Sequence, residues 1–358
     1  MKQNRLNNIL REMSNTNLNQ MILTSPAAIF YLTGKWIESG ERLLALYINT
    51  NGDKKLVINE LFPIHEDLGL DLVWYNDTQD PIVALCDIID KSKTLGIDKN
   101  WQAHFLIRLM EKGAATAFVN GSPIIDKART IKDAEEIELM RKASAINDKV
   151  IGRAVERFSK DKTEKALSNI LGELYEEERT QGFSFTPIVA YGANGADPHH
   201  ETDLSLPAIG DSIIVDTGCR NEFYCSDMTR TFFYGEPSEE ARKVYNIVLE
   251  ANLAGISKVK PGTRFCDIDK AARDVIEGYG YGKYFTHRTG HSIGIEVHDF
   301  GDVSSVNKEE VKPGMIFSIE PGIYLQGKVG VRIEDLVLVT EDGCEVLNNY
   351  SKELRVLK

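Results

Sequence analysis

The stretch SIIVDTGCRNEFYCSDMTRTF, residues 212–232, decides how the rest of the chain is read. An apolar β-branched run, Ile213-Ile214-Val215, ends in a carboxylate, Asp216. The chain breaks between Gly218 and Glu222, and a second run of aromatic and β-branched residues follows, with Asp227 at its start. Two such runs across a short polar break predict a β-hairpin. With Asn221-Glu222 as the loop, the numbers of facing residues sum to 443 and Asp216 faces Asp227 directly. Facing residues share one side of the sheet, with Cβ atoms roughly 4.5–5.5 Å apart. Carboxylates that close repel unless something positive lies between them. A slip of one residue would send them to opposite faces. An isolated pair of this kind is otherwise two surface charges near a turn, so the remaining segments decide.

At 358 residues the chain has room for two domains and a sizeable core. Its 42% hydrophobic and 27% charged residues are ordinary for a water-soluble globular protein. The net charge of −12, without any block of Lys and Arg, argues against a nucleic-acid partner. The five cysteines, Cys86, Cys219, Cys225, Cys266 and Cys344, are scattered and form no CxxC pair, which points to a reducing compartment rather than a disulfide framework. Cys219 and Cys225 flank the loop and read as small buried hydrophobes, since no second pair completes a zinc knuckle. The start, MKQNRLNNILREM, is too polar for a signal peptide and no run reaches transmembrane length, so a cytoplasmic protein with no membrane partner is expected.

Working outward, residues 5–20 have helical spacing, 20–23 and 29–32 read as short strands, and 42–48 and 55–58 as further strands. Helices are expected at 82–91 and 104–112 with a strand at 94–97 between them, giving a small α/β domain over residues 1–124. His65 and His104 stand alone there, away from other ligand types. Asn120-Gly121-Ser122-Pro123 reads as a linker or a domain boundary, and a second, α+β domain covers 125–358. It opens with helices at 132–158, capped by Asp133, and 163–180, capped by Thr163. A strand at 183–191, the polar loop 192–206 and the hairpin come next, then helices at 238–259 and 264–278. Strands at 293–297, 315–319 and 328–338 finish the chain, and the order hints at an internal duplication.

Four segments of this second half place chemical groups where strands end or turn: the hairpin, HRTGHSIG (287–294) with Val297-His298-Asp299, FSIEPGIY (317–324) and GVRIED (330–335). Glu320 ends an apolar run just before Pro321-Gly322, which turns the chain away and fixes the carboxylate at a strand end. On the last strand Arg332 and Glu334 alternate with Val331 and Ile333, so both face the side opposite the apolar residues. Charged groups on such a strand must be solvated, paired or bound to metal. Asp216, Asp227, His291, Glu320 and Glu334 together form an oxygen-rich ligand set for two divalent cations. Such a set suits Mn²⁺, Co²⁺ or Zn²⁺ in a reactive centre better than a structural zinc.

In this order the motifs VDTG with SDMTRT, HRTGHSIG, SIEPG and VRIED resemble those of the pita-bread metallopeptidases, above all the proline-specific branch with Xaa-Pro dipeptidase (prolidase) and aminopeptidase P. The likeness spans the chain: a creatinase-like N-terminal domain followed by a pita-bread catalytic domain. It implies two metal ions, Mn²⁺ or Co²⁺ with Zn²⁺ as a third choice, held by Asp216, Asp227, His291, Glu320 and Glu334. Bridging by Asp216 and Glu334, with His291 and Glu320 on one metal, is further implied. It also implies catalytic roles for His199, His287, His298 and, as proton carrier, Glu320, with Arg332, Tyr324 and Thr229 binding substrate or supporting the ligands. His200 has no implied role. Methionine aminopeptidases lack this N-terminal domain and read Glu-Pro-Met, whereas this chain has His287 and Glu320-Pro321-Gly322; creatinase lacks the metal ligands. The departures are Ser292, where Gly is common, and Asp299, where Glu is usual. The expected activity is hydrolysis of the Xaa-Pro bond of short peptides by a homodimer, as a dipeptidase or, on longer peptides, an aminopeptidase. A non-catalytic pita-bread binding protein is the reading from another class, and intact ligands argue against it. Trp36 and Phe62 are ordinary core residues or contributors to a neighbouring subunit's site.

Overall fold

Helical spacing of Leu6, Ile9 and Met13 closes the first helix, Gln3–Asn15, over the edge of a buried core. The computed structural model describes all 358 residues, which form two units, Met1–Arg129 and Thr130–Lys358. The first unit is a six-stranded mixed sheet in the order Asp71–Tyr75, Lys54–Asn59, Ala45–Asn49, Gln20–Leu23, Thr94–Ile97, Ala117–Asn120. Residues 29–32, expected as a strand, belong to the helix Pro26–Thr33. Ser25 accepts the Ala28 N–H, Pro26 occupies the first turn and Gly34 closes the helix in the left-handed conformation. These end signals outweigh the β preference of Ile29 and Tyr31. Asn120-Gly121-Ser122-Pro123 is likewise no loose linker, since it joins the last strand directly to the helix Ser122–Thr130. Trp36 is half-buried, its ring 5.9 Å edge-on from Phe30, and Phe62 is half-buried too.

The second unit repeats one order twice: two helices, then strands. Helices Ala134–Glu156 and Glu164–Glu177 begin at the caps expected, Asp133 in a capping box with Glu136 and Thr163 on the Ala166 N–H. A four-stranded sheet follows, in the order Val356–Leu357, Met228–Tyr234, Ser212–Thr217, Ile188–Tyr191. Helices Glu239–Lys258 and Phe265–Gly278 come next, then a three-stranded sheet of Ile316–Ile319, Asp335–Val339 and Cys344–Val346. The helices cover outward faces of these strands through apolar clusters such as Leu171, Tyr175, Val189 and Val215. The opposite side holds the polar groups considered below. No helix is long and apolar enough to cross a membrane.

Three further strand expectations need correction. In the hairpin Thr229 faces Asp216 and Tyr224 faces Asn221, so facing numbers sum to 445, not 443. The loop is Glu222-Phe223, both at positive φ (48° and 67°), the paired left-handed geometry that suits the twist of tight hairpins. The shift is two in the sum, not one, so Asp216 and Asp227 keep a common face as diagonal neighbours. Residues 328–338 form not one strand but two, Val329–Arg332 paired with Gly322–Leu325 and Asp335–Val339 paired with Ile316–Ile319. Between them the Glu334 N–H leaves both pairings and donates to the Thr229 carbonyl at 3.1 Å. Residues 293–297 turn rather than extend, with Gly294 N–H on Glu296 O at 3.0 Å, and the strand there is Gly290–His291.

Candidate metal centre

Strand ends of the second unit converge on one cavity of about 530 Å³. The hairpin supplies Asp216 and Asp227, Gly290–His291 supplies its imidazole, the end of Ile316–Ile319 supplies Glu320, and the break between the last two strands supplies Glu334. All five line the cavity. His291 Nε2 lies 3.5 Å from Asp227 Oδ2 and 3.5 Å from Glu320 Oε1. Ligand atoms of Asp227, His291 and Glu334 fall within 4.8 Å of one another, and all three residues are buried.

The surrounding contacts fix these groups. Ser318 Oγ accepts the His291 N–H at 3.0 Å and donates to Glu320 Oε1 at 3.1 Å. Thr229 Oγ1 donates to Glu334 Oε2 at 2.8 Å and accepts from Arg332 Nε at 3.1 Å. Arg332 also donates to Asp216 Oδ2 at 2.6 Å and to the Tyr324 hydroxyl at 3.0 Å. Fully buried Arg230 reaches Asp335 at 2.7 Å and the Tyr350 carbonyl at 2.8 Å, which locks the hairpin strand to the segment holding Glu334.

The electrostatics are unfavourable without a cation. Asp216 Oδ1, Asp227 Oδ1 and Glu334 Oε1 are buried with no hydrogen-bond partner. Burial, then Asp216 and Glu320, pushes the Asp227 carboxyl well above its ordinary range. Burial, then Asp227, Glu320 and Asp216, does the same to Glu334. Asp216 rises too through burial, with the Arg332 guanidinium opposing the rise. Buried acceptors normally find donors, so three orphaned carboxylate oxygens on residues lining one cavity fit divalent cations. The set is oxygen-rich with one imidazole and no thiolate: Cys219 and Cys225 are buried, and burial raises both thiols.

The three histidines implied by the motifs also line the cavity, in different settings. His287 Nδ1 donates to the Arg288 carbonyl at 2.7 Å, so Nε2 accepts the Tyr324 hydroxyl proton at 2.8 Å. Burial holds this imidazole below its usual pKa, and both ring nitrogens are occupied. The His298 ring packs edge-on against His291 with centroids 4.2 Å apart. Burial, then His291 and Arg288, pushes it down to about 4, so it is neutral at neutral pH. His199 is exposed and reaches the cavity from the loop 192–206. Tyr324 is buried beneath the site, its hydroxyl pushed up to about 12 by burial.

Sequence reasoning missed Phe185, Ile188 and Val297, which give the cavity an apolar wall, and Arg288. Arg288 sits between two histidines of HRTGH, and that position was its only signal. Its guanidinium is exposed at the cavity and forms no ion pair within the chain.

Comparison with known proteins gives the family. The sequence pattern of metallopeptidase family M24 matches residues 138–341, and that of the Creatinase/Prolidase N-terminal domain matches residues 5–131. An uncharacterised peptidase of Staphylococcus aureus (strain MRSA252) is 36% identical over 356 residues, covering 97% of this chain and 99% of its own. Among solved structures, a dipeptidase from Pyrococcus horikoshii OT3 superimposes with a TM-score of 0.93 at 34% identity, over 99% of this chain and 100% of its own. A prolidase from Thermococcus sibiricus gives a TM-score of 0.94 at 34% identity, over 100% of this chain and 99% of its own. The expected fold, a creatinase-like N-terminal domain followed along the chain by a pita-bread catalytic domain, therefore stands. This chain is a peptidase and belongs to metallopeptidase family M24.

Proposed function

We propose that the chain is an Xaa-Pro dipeptidase working with two divalent cations. The observation that carries the metal requirement is the trio of buried, partnerless carboxylate oxygens on Asp216, Asp227 and Glu334. These residues with His291 and Glu320 are the ligand set, and its oxygen content favours Mn²⁺ or Co²⁺. When bound, the cations supply Lewis acidity and a water acidic enough to attack near neutral pH. The chain's own residues supply the rest. Glu320, half-buried with Oε1 oriented by Ser318, carries a proton from the attacking water to the departing proline nitrogen. His298, neutral and fixed against His291, donates to the oxygen that becomes negative. Arg332, spent on Asp216, Thr229 and Tyr324, orients ligands rather than substrate.

The substrate reading draws on the cavity wall and on the dipeptidase and prolidase that the chain resembles. Phe185, Ile188 and Val297 offer an apolar surface for a pyrrolidine ring. Proline's missing N–H and fixed φ exclude it from strand-like docking, which is why its bond needs a dedicated enzyme. Unpaired Arg288 matches the free carboxylate that follows proline in a dipeptide. The test compares Ala-Pro with Ala-Pro-Ala, with EDTA and with added Mn²⁺. Rapid, Mn²⁺-dependent cleavage of Ala-Pro alone is expected. Preference for Ala-Pro-Ala would make the enzyme an aminopeptidase, and cleavage that survives chelation would end the metal reading.

A further inference from the structure

Glu164 opens the helix Glu164–Glu177, and its side chain is completely buried away from the metal centre's own residues. A buried carboxylate is costly unless its oxygens are saturated, and here they are. Oε1 accepts the Tyr191 backbone N–H at 2.8 Å and Asn194 Nδ2 at 2.9 Å. Oε2 accepts the Asp203 backbone N–H at 2.9 Å and His200 Nε2 at 2.7 Å. The helix start adds two bonds of the opposite sense: Glu164 N–H donates to Ser205 O at 3.1 Å and Lys165 N–H to Asp203 O at 2.9 Å.

The donors fall on both sides of His199. Tyr191 and Asn194 enter the loop, His200 and Asp203 leave it, and His199 lies between, adjacent to one of the four. One side chain thus holds both ends of the loop that carries an exposed imidazole into the cavity. The exposed His199 ring makes no hydrogen bond, ion pair or ring stacking within the chain, so its position follows the backbone, where its N–H bonds Asp197 Oδ1 at 3.0 Å. Glu164, His200 and Asp203 also come close enough for a cation, with ligand atoms within 4.8 Å. Two backbone N–H groups already point at the Glu164 oxygens, however, and would face a cation with the wrong sign.

We propose that Glu164 and His200 are positioning residues that hold the loop 192–203 so that His199 meets the substrate. The proposal rests on the cavity being the peptidase site. It gives His200 a role that the family motifs do not assign and puts it in the loop rather than in the chemistry.

The test uses the full chain with Mn²⁺ and four variants: E164Q, H200A, H200Q and H199A. E164Q keeps the shape but turns an amide toward donors that need an acceptor. A displacement of about 1 Å in a reacting group costs on the order of 10²-fold, so E164Q should lose up to that much in kcat/KM on Ala-Pro while keeping its Mn²⁺ content. H200A should lose less, and H200Q, whose amide can still donate to Glu164, should recover most of it. Amide exchange at Tyr191 and Asp203 should quicken in E164Q while that of the hairpin 212–232 is unchanged. In the H199A background E164Q should add no further loss, because its effect passes through His199. Multiplying losses in the double variant, or an unchanged exchange rate at Tyr191 and Asp203, would overturn the proposal. The exchange measurement needs no turnover, so it decides the loop's role even if the wild-type protein fails to cleave Ala-Pro and the functional reading falls. If E164Q does not fold, the H200A and H200Q pair carries the test: equal activities in those two would overturn the proposal.

Discussion

Replacing Glu334 by Gln should stabilise the metal-free protein and destabilise the metal-loaded one. Glu334 is 1% exposed, one oxygen accepts from Thr229 at 2.8 Å, and the other has no partner. Burial disfavours its charge most, and repulsion from Asp227, Glu320 and Asp216 adds to that. Gln keeps the Thr229 bond through its carbonyl, removes the charge and turns an amide donor toward those carboxylates. An unsatisfied buried polar group costs about 1–3 kcal/mol, more when charged. At about 2–4 °C per kcal/mol for a folding unit of 150–250 residues, the variant in EDTA at pH 7.5 should melt roughly 2–12 °C above wild type. The pH dependence has a definite sign. The folded protein holds the Glu334 proton more tightly than the unfolded chain, where the pKa is about 4.3. The penalty is therefore absent below about pH 4 and grows as the pH rises toward the folded-state value, so the variant's advantage should vanish on acidification. Cations reverse the order: a site filled at 100 times its Kd adds about 2.7 kcal/mol to wild type, and the variant has lost a ligand. Differential scanning calorimetry with EDTA and with excess Mn²⁺ reads both arms. A variant less stable than wild type in EDTA, or one gaining as much from Mn²⁺, would refute the reasoning.

Tyr324→Phe removes the hydroxyl between His287 Nε2 and Arg332 Nη1, at 2.8 and 3.0 Å. With hydrogen bonds to charged groups worth about 1.5–3 kcal/mol, kcat/KM should fall about 10–100-fold with metal content retained, measured by steady-state kinetics and metal analysis. Arg288→Ala should raise KM for Ala-Pro by a similar factor of about 10–100 and leave a peptide amide such as Ala-Pro-NH₂ unaffected, because the lost partner is the substrate carboxylate. Gly290→Ala places a Cβ 1.9 Å from the Ser318 carbonyl oxygen, so the backbone that joins His291 to the strand ending at Glu320 must shift. Isothermal titration should find weaker Mn²⁺ binding in a protein that still folds at lower Tm.

The four carboxylates and the imidazole that line the cavity were legible in the chain because each sits beside a local signal: a strand end, Pro-Gly, or glycines around an imidazole. Helix starts at Asp133 and Thr163 were equally legible, since a cap is settled within four residues. The shared face of Asp216 and Asp227 survived a misplaced loop because sheet faces repeat every second residue, and the register moved by two in the sum. The loop itself was misplaced because Glu222-Phe223 takes a conformation that favours Gly and Asn, and only the pairing of the two strands imposes it.

What the amino-acid order by itself determined is the inventory: which side chains stand at strand ends, which faces are apolar, and which family the motifs resemble. The tertiary structure alone decided how the site is braced. Arg332 reaches Asp216 across 116 positions, Thr229 reaches Glu334 across 105, and Glu164 gathers donors from 27 to 39 positions away. Periodicity and capping report each residue's immediate neighbours along the chain. Contacts over such separations exist only once the core has packed, so no local pattern in the sequence announces them.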